Sequence, residues 1–437
     1  MEIKKLIGWS AILLISFTPA ALWYFLGAGS NELHNYDEIT HSIGEITGLV
    51  GMTMFALTFV LSTRIRFIED IFGGLDKVYI AHGILGGTAL IILLSHPIFL
   101  VLKFIPENVK QAAIYLLPSS YWSVNFGILA LLGMIALVYL TLFTKIKYHK
   151  WKFTHEFLGL VFILALLHIF LVRGKVSGDD IFKGYYIYAS AVGLIGLGSF
   201  SYSLFLKNRL FKAAKYRVAS IRKLKDDVYE IKLAPEHKPI SYKSGQFIFV
   251  RFYNERLPKE SHPFTIASRS NHPIIKIIVK ALGDFTSRLT ELKVGDYVSV
   301  EGPYGRFSVK NSKKAADVWI AGGIGITPFI SMAEELRFNP PKNDVYLFYT
   351  CRTSDEFVCV DELRKIEAEV PKFHLVLWES KKMGHLTLEN IARIVGRVRD
   401  KEYYLCGPSA MKRSIIKSVL KNGVKKSLIH VEEFEFR

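Results

Sequence analysis

The stretch VYIAHGILGGTALIILLSHPIFLVL, residues 78–102, is long and apolar enough to cross a bilayer, yet it carries two histidines. A second stretch of the same kind, FTHEFLGLVFILALLHIFLV at residues 153–172, carries two more. An imidazole inside a membrane helix costs free energy unless it is paired or ligating, so four of them mark a site rather than four isolated hydrogen bonds. His82 and His96 are 14 positions apart, and His155 and His168 are 13 apart. At 1.5 Å per residue each pair is separated by about 20 Å along its helix. With both helices running outward, His82 faces His155 near the inner side and His96 faces His168 near the outer side. Two levels, each with one histidine from each helix, is what two bis-histidine haems require, whereas zinc gathers its ligands around one point. Rotation fits less well. At about 100° per residue, 14 positions bring a side chain back to within about 40° of its starting face, while 13 leave it about 140° away. A bulge, overwinding, kink or tilt is therefore expected in the second of these helices. Pro97 is expected to bend the first. Phe162, halfway between His155 and His168, is a candidate for the space between the two levels, with packing or a lipid-facing position as the plainer reading. His34, His41 and His149 lie at membrane edges and read as solvated.

Working outward, the sequence holds six such spans, at Leu6 to Ala28, Ile46 to Leu61, Val78 to Leu102, Val124 to Phe143, Phe153 to Val172 and Tyr185 to Leu206. Lys4 and Lys5 precede the first as they would a signal peptide, but its length and the five spans that follow favour a retained helix. Basic residues at Lys4, Lys5, Arg64, Arg66, Lys77, Lys145, Lys147, Lys150, Lys152, Lys207, Arg209 and Lys212 fall on alternate ends of the spans. The loop from Asn31 to Glu45 instead carries Glu32, Asp37, Glu38 and Glu45, so both termini are expected in the cytoplasm of a multi-pass plasma-membrane protein.

Composition agrees. Half of the 437 residues are hydrophobic and only 22% are charged, which excludes a long disordered chain and implies more than one domain. The net charge of +17 is uneven: residues 1–210 hold 16 Lys and Arg against 12 Asp and Glu, leaving 40 against 27 for the remainder. A basic second half that attracts anionic nucleotides and lies against an anionic inner leaflet explains this without nucleic acid. Three cysteines, Cys351, Cys359 and Cys406, form no CxxC pair, which excludes a disulfide scaffold or zinc finger and fits a reducing compartment.

After Tyr216 the pattern changes to strands. Gln246–Tyr253, Ile274–Leu282 and Asp296–Glu301 suggest an antiparallel β-barrel. From Asp317 strands and helices alternate: Val318–Ala321, Thr327–Phe338, Val345–Tyr349, Asp361–Val370, Phe373–Trp378, Leu388–Val395, Tyr403–Leu405, Ser409–Leu420 and Leu428–Phe434. This is the pattern of an α/β doubly wound parallel sheet. The expected organisation is thus a multidomain membrane protein: an all-α six-helix transmembrane bundle (1–210), a β-barrel (211–312) and an α/β domain (313–437). In the barrel, His262-Pro263-Phe264-Thr265 ends a strand. Gly283-Asp284-Phe285-Thr286 opens a short helix whose free amides can bind phosphate, with Thr286 able to cap. In the α/β domain, Gly322-Gly323-Ile324-Gly325-Ile326-Thr327-Pro328 follows the first strand and opens a helix. Its glycines let amides approach a pyrophosphate, with Thr327 as N-cap and Pro328 at the first helical position. Arg352, Thr353 and Ser354 end the second strand, where they can hold a 2′-phosphate, although Asp355 and Glu356 weaken that reading. Cys406-Gly407-Pro408 places a thiol at the sheet's carboxyl edge, with a buried structural cysteine as the alternative.

Together these residues resemble the NADPH oxidase and ferric reductase family, whose soluble half is similar to ferredoxin-NADP reductase. The resemblance covers nearly the whole chain. It implies haem b ligation by His82, His96, His155 and His168, and FAD binding at His262 to Thr265 and at Gly283 to Thr286. Phe264 would pack on the flavin and Thr265 would lie near its N5. It further implies NADPH binding at Gly322 to Pro328, with Cys406 to Pro408 near the nicotinamide. A carboxy-terminal aromatic of the family stacks on the flavin; Phe434, which follows the acidic pair, is the first candidate here and Phe436 the second. No EF-hand or amino-terminal calcium-binding extension is seen, so the chain most resembles compact bacterial members of constitutive activity.

The implied function is a transmembrane NADPH oxidase: electrons from cytosolic NADPH, or NADH, pass through FAD and two haems to extracellular O2 and give superoxide. The first alternative is a ferric or cupric reductase on the same path, with Glu32, His34, Asp37, Glu38, His41 and Glu45 as an outer docking surface for metal. A further alternative is a haem electron carrier for a partner protein, or a proton channel. The self-contained nucleotide motifs argue against an obligatory protein partner.

Overall fold

The computed structural model describes residues 2–25, 35–105, 108–144, 146–172, 179–206, 213–308 and 314–432. Its contacts divide the chain into two compact units, Met1–Phe211 and Lys212–Arg437.

The first unit is helical: α1 (Glu2–Phe25), α2 (Tyr36–Ser62), α3 (Arg66–Phe72), α4 (Leu75–Leu102), α5 (Val109–Tyr115), α6 (Trp122–Phe143), α7 (Tyr148–Glu156), α8 (Leu158–Leu171) and α9 (Asp179–Ser201), with a π-helical turn at Tyr202–Leu206. Six spans are long and apolar enough to cross a membrane, with α7 and α8 together making the fifth. Their outward faces carry Leu14, Ile91, Leu142, Phe143 and Leu194, all exposed, which hydrocarbon accommodates and water does not. Their inward faces use glycine for close approach. A Cβ on Gly159 would lie 2.1 Å from the Phe200 ring, and one on Gly51 would lie 2.7 Å from Leu93.

Two features differ from the sequence reading. The second span starts at Tyr36 rather than Ile46, so Asp37, Glu38, His41 and Glu45 lie on helix and not in a loop. Hydropathy falls over that turn, but acidic residues in a first turn complement the helix dipole and support the helix. The last span, Tyr186–Leu206, agrees with the reading to within a residue, although its helix already begins at Asp179. The fifth is interrupted at Phe157, whose amide bonds to the Thr154 carbonyl three residues back, so the ladder tightens there before α8 resumes. The break lies between His155 and His168, where the 13-residue spacing requires a change of rotation. By contrast α4 continues as helix through Pro97.

In the second unit, β1 (Ala214–Lys225), β2 (Val228–Pro235), β3 (Phe247–Tyr253), β4 (His262–Thr265), β5 (Ile275–Lys280) and β6 (Tyr297–Tyr304) form an antiparallel sheet in the order β4-β3-β6-β1-β2-β5. An antiparallel bridge between Ile266 and Ile277 joins its two edges, closing it around Val218, Ile231, Val250, Ile277 and Val300. There follow β7 (Ala316–Gly322), α10 (Thr327–Leu336), β8 (Asp344–Cys351), α11 (Val360–Glu369), β9 (Phe373–Glu379), α12 (Ser380–Met383), α13 (Leu388–Val395), β10 (Lys401–Cys406), α14 (Ser409–Lys421) and β11 (Ile429–Glu432). These strands are parallel in the order β11-β10-β7-β8-β9. The chain runs outward from β7 to β9 and then returns to β10 on the other side of β7. The strand order therefore reverses between β7 and β10, where open α/β sheets bind ligands at their carboxyl ends.

Candidate cofactor sites

Helices α4 and α7–α8 bring the four membrane histidines together as two pairs. Ring centroids are 6.0 Å apart for His82 and His155 and 6.1 Å apart for His96 and His168. A metal–imidazole bond is about 2 Å, so two imidazoles on one metal hold their ring centres about 6 Å apart. The second nitrogen of each ring is already engaged. Nδ1 of His82 meets the Thr58 carbonyl at 2.9 Å, Nδ1 of His96 the Gly44 carbonyl at 2.6 Å and Nδ1 of His168 the Ser123 carbonyl at 2.8 Å. A carbonyl only accepts, so each Nδ1 carries the proton and Nε2 keeps its lone pair. Nδ1 of His155 lies 3.2 Å from the Thr141 hydroxyl, which donates to the Leu137 carbonyl at 2.8 Å and therefore accepts from the ring.

All four rings thus offer Nε2 as ligand atom, oriented by a second bond in the way metal-binding histidines usually are. The residues fit one haem iron at each level. Gly86, one turn above His82, has only the Thr58 methyl within 4 Å of where a Cβ would lie, at 3.9 Å. Two glycines on neighbouring helices seat the rings of the His96–His168 pair. A Cβ on Gly48 would fall 2.8 Å from Nδ1 of His96, and one on Gly127 would fall 2.7 Å from Nδ1 of His168. In the His82–His155 pair, Trp151 stacks on His155, with centroids 5.3 Å apart at 23°. Phe162 is fully buried, edge-on to Phe55 and Phe59, and its ring fills the space beside Gly196, so it packs the bundle.

Near the start of α2, His41 and Glu45 are 3.3 Å apart. Glu32 and His34 lie outside the described residues. Among the described residues no cluster of three His, Cys, Asp or Glu is arranged to hold a metal ion.

In the barrel, β4 presents His262-Pro263-Phe264-Thr265 against Val250 to Phe247 of β3. His262 bonds Glu260 at 2.8 Å and stacks on Phe285 with centroids 3.8 Å apart, which joins this strand to the Gly283-Asp284-Phe285-Thr286 turn. Phe285 is buried in the barrel core and Thr265 is buried, while Phe264 is half-buried and packs against that core. Gly283 and Asp284 are exposed. The turn leads into a 3₁₀-helix, Thr286–Glu291. Thr286 does not cap it forward: its hydroxyl accepts from the amides of Leu282 at 3.1 Å and Gly283 at 3.0 Å. Arg251, next to Val250 and so to its partner His262, has a buried Nε with no acceptor among the described residues. A half-buried arginine whose Nε has no acceptor among the described residues suits an anionic group such as a phosphate.

The switch point of the parallel sheet unites the remaining motifs. A Cβ on Gly325 would lie 2.5 Å from the Cys406 carbonyl oxygen, and one on Gly322 would lie 2.7 Å from Pro408. The loop Gly322–Gly325 therefore rests on Cys406-Gly407-Pro408. Gly323, at φ +52°, faces open space, the cradle a pyrophosphate would fill. Thr327 does not act as N-cap. A 3₁₀ turn, Gly323–Ile326, comes first, and the buried Thr327 hydroxyl donates to the Ile324 carbonyl at 3.2 Å, with Pro328 in the first turn. Cys406 is fully buried in the core. Arg352 and Thr353 follow β8, where the Glu356 carboxylate reaches the Arg352 amide at 3.4 Å. Glu432, paired with Cys406, lies beside Gly305, which packs on Phe247, the partner of Thr265. The last described residue of β11 thus lies beside the turn that follows β6 of the barrel. The candidate aromatics Phe434 and Phe436 lie outside the described residues.

Sequence reasoning missed Thr58, Gly44, Ser123 and Thr141, whose oxygens orient the histidines. It also missed Gly48, Gly127, Arg251 and the contacts that fix the barrel to the α/β domain. Glu335 on α10 accepts from the Ser270 amide at 2.8 Å and the Ser244 hydroxyl at 3.1 Å. Burial would raise its carboxyl, but bonds from Ser270, Asn339 and Ser244 outweigh that and hold it below the ordinary carboxylate value. Lys276 on β5 meets Glu362 on α11 at 2.7 Å. Cys351, at the end of β8, carried no motif either: burial pushes its thiol up to about 11, and a hydrogen bond with the Gly323 backbone ties it to the glycine loop. Of these only the intramembrane glycines left a trace in sequence, as small residues within apolar runs.

Three family models match this chain: a ferric reductase like transmembrane component over residues 47–166, an FAD-binding domain over 213–308 and an oxidoreductase NAD-binding domain over 319–417. Among curated proteins it is similar to the reductase component of propane 2-monooxygenase from Rhodococcus jostii, 28% identical over 234 residues, covering 50% of this chain and 62% of the relative. It is also similar to one component of the Na(+)-translocating NADH-quinone reductase of Neisseria gonorrhoeae, 26% identical over 261 residues, covering 47% and 64%. The chain spans less than two thirds of the length of these relatives. Among solved structures, flavohemoglobin from Malassezia yamatoensis shares the fold at a TM-score of 0.51 and 15% identity, covering 93% of this chain and 99% of that one.

Proposed function

We propose that this chain, which joins a ferric reductase-like transmembrane component to an FAD-binding and an NAD-binding domain, is an oxidoreductase of the ferric reductase and NADPH oxidase type. It takes electrons from NAD(P)H on the cytoplasmic side and delivers them to O2 on the other. The observation that carries this reading is the set of four intramembrane histidines, paired across two levels, each with Nδ1 engaged and Nε2 left for iron.

When bound, FAD takes a hydride and releases electrons singly, and haem iron at two levels carries single electrons across hydrocarbon. The protein's own part is to hold and orient. His82 with His155, and His96 with His168, would each supply a pair of imidazole nitrogens to hold one iron. Their Nδ1 bonds fix the tautomer. Gly322 to Gly325 cradle the NAD(P)H pyrophosphate, Arg352 and Thr353 take a 2′-phosphate, and Cys406 to Pro408 border the nicotinamide. Thr265 and Phe264 face the flavin, His262 and Phe285 join its strand to the phosphate turn, and Gly283, Asp284, Thr286 and Arg251 hold its pyrophosphate. With both termini in the cytoplasm, NAD(P)H meets this half of the chain on the inner side.

A second reading, reduction of ferric or cupric ion, draws on the stripe Asp37, His41 and Glu45, spaced by four on α2 and adjoining Gly44, whose carbonyl holds His96. Such a stripe would attract a metal cation to the outer pair as substrate. Turnover of the purified haem- and FAD-loaded protein with NADPH and with NADH separates the readings. Superoxide-dismutase-sensitive cytochrome c reduction in air supports the oxidase. Anaerobic Fe(III)-chelate reduction without superoxide in air supports the reductase, and His41→Ala should then slow only the metal reaction. NADPH consumption with neither product refutes both.

A further inference from the structure

The two histidine pairs are not equivalent. Both outer rings donate to backbone carbonyls, at 2.6 and 2.8 Å, and the inner His82 does so at 2.9 Å. His155 alone leans on a side chain, the Thr141 hydroxyl, at the longest of the four distances, 3.2 Å. That hydroxyl's proton is committed to Leu137, so it serves His155 only as acceptor. The carbonyl partners are built into the backbone of α2 and α6, and no single side-chain change removes them. Among the described residues Thr141 is the one Nδ1 partner that is a side chain.

We propose that Thr141 is a positioning residue that sets the reduction potential of the inner centre apart from that of the outer one. The proposal rests on the reading of the four histidines as iron ligands. A short bond from Nδ1–H to a carbonyl moves electron density to Nε2 and makes it a stronger donor, which favours the oxidised metal. A long bond to a hydroxyl does this less. The inner iron, with one carbonyl-supported and one hydroxyl-supported ligand, is therefore the more easily reduced of the two. Electrons rest at the inner level, and the step to the outer level sets the pace when acceptor is plentiful. Trp151, stacked on the same ring, holds its plane and leaves the Nδ1 partner as the adjustable element.

Potentiometry of the purified, haem-loaded full chain, followed by its absorbance, tests this. Thr141→Val keeps the shape and removes the acceptor; Thr141→Ser keeps the acceptor. Loss of such an outer bond changes metal-site equilibria by about tenfold or more. Thr141→Val should therefore raise one of the two one-electron components by about tenfold in its reduction equilibrium, about 59 mV, leave the other in place, and be reversed in Thr141→Ser. The same rise in a His96→Ala chain, which retains only the inner pair, assigns it to the inner level. If Thr141→Val loses one haem while Thr141→Ser keeps two, the hydroxyl is again shown to hold His155. The proposal is overturned if two haems bind and neither component moves, if both move equally, or if Thr141→Ser behaves as Thr141→Val. A wild-type chain that binds no haem would instead refute the ligand reading beneath it.

Discussion

Replacing Gly325 by alanine tests the contact that joins the two nucleotide motifs. The added Cβ would stand 2.5 Å from the Cys406 carbonyl oxygen, 2.7 Å from its carbon and 2.8 Å from the Gly407 Cα, against 3.4–4 Å for ordinary contact. All three are backbone atoms, so no rotamer change relieves the clash. The glycine loop must instead lift from the end of β10 by about an ångström, and overpacking of this kind costs about 1–3 kcal/mol. Charged to NADPH binding, that is roughly a fivefold to hundredfold weakening, at about 1.4 kcal/mol per tenfold. Gly323 supplies the contrast: a Cβ there meets nothing within 4 Å, but φ is +52°. Gly323→Ala should lose about 1–2 kcal/mol of backbone conformational energy without moving β10, and Gly323→Asn, which tolerates that conformation, should lose less. Anaerobic stopped-flow flavin reduction against NADPH concentration reads the binding step, with melting temperature and FAD content as checks on folding. Wild-type NADPH dependence and an unchanged melt in Gly325→Ala would refute the loop-on-loop contact.

Three further outcomes are expected. Gly127→Ala, whose Cβ would strike the His168 ring at 2.7 Å, should reduce the pyridine haemochrome content from two haems to one, whereas Gly133→Ala, which meets only a Val161 methyl, should keep both. Arg352→Ala should raise the KM for NADPH about tenfold or more, the weight of one charged hydrogen bond, and leave that for NADH unchanged; an unchanged NADPH-to-NADH ratio would remove Arg352 from the 2′-phosphate site. The Glu335 carboxyl is held below its ordinary value in the folded state, so its stabilising effect is complete above the unfolded pKa of about 4.3 and is lost as pH falls through the depressed value. Melting temperature against pH should accordingly fall less steeply on the acid side in Glu335→Gln than in wild type, and parallel acid limbs would count against this link between Glu335 and the Ser244 and Ser270 loops.

The six spans, the pairing of His82 with His155 and of His96 with His168, and the doubly wound sheet were legible because each follows from a period: hydrocarbon thickness, helical rise, and strand–helix alternation. Boundaries were less so. The start of α2 at Tyr36 was hidden because hydropathy registers lipid contact rather than helix, and Asp37 and Glu38 read as loop. Capping by Thr327 and Thr286 was misjudged for a related reason: a hydroxyl near a helix start has several backbone partners within reach, and only the built turn selects among them.

What the sequence by itself determined is therefore the inventory and its spacing along each element: four imidazoles at two depths, a glycine turn after β7, a Cys-Gly-Pro after β10. Only the tertiary structure decided which atoms meet. The oxygens of Thr58, Gly44, Ser123 and Thr141 choose the nitrogen each histidine leaves free, and three of these are backbone carbonyls, which every residue has and no sequence pattern marks. Gly325 touches Cys406 because the strand order reverses between β7 and β10, a consequence of how the whole sheet winds.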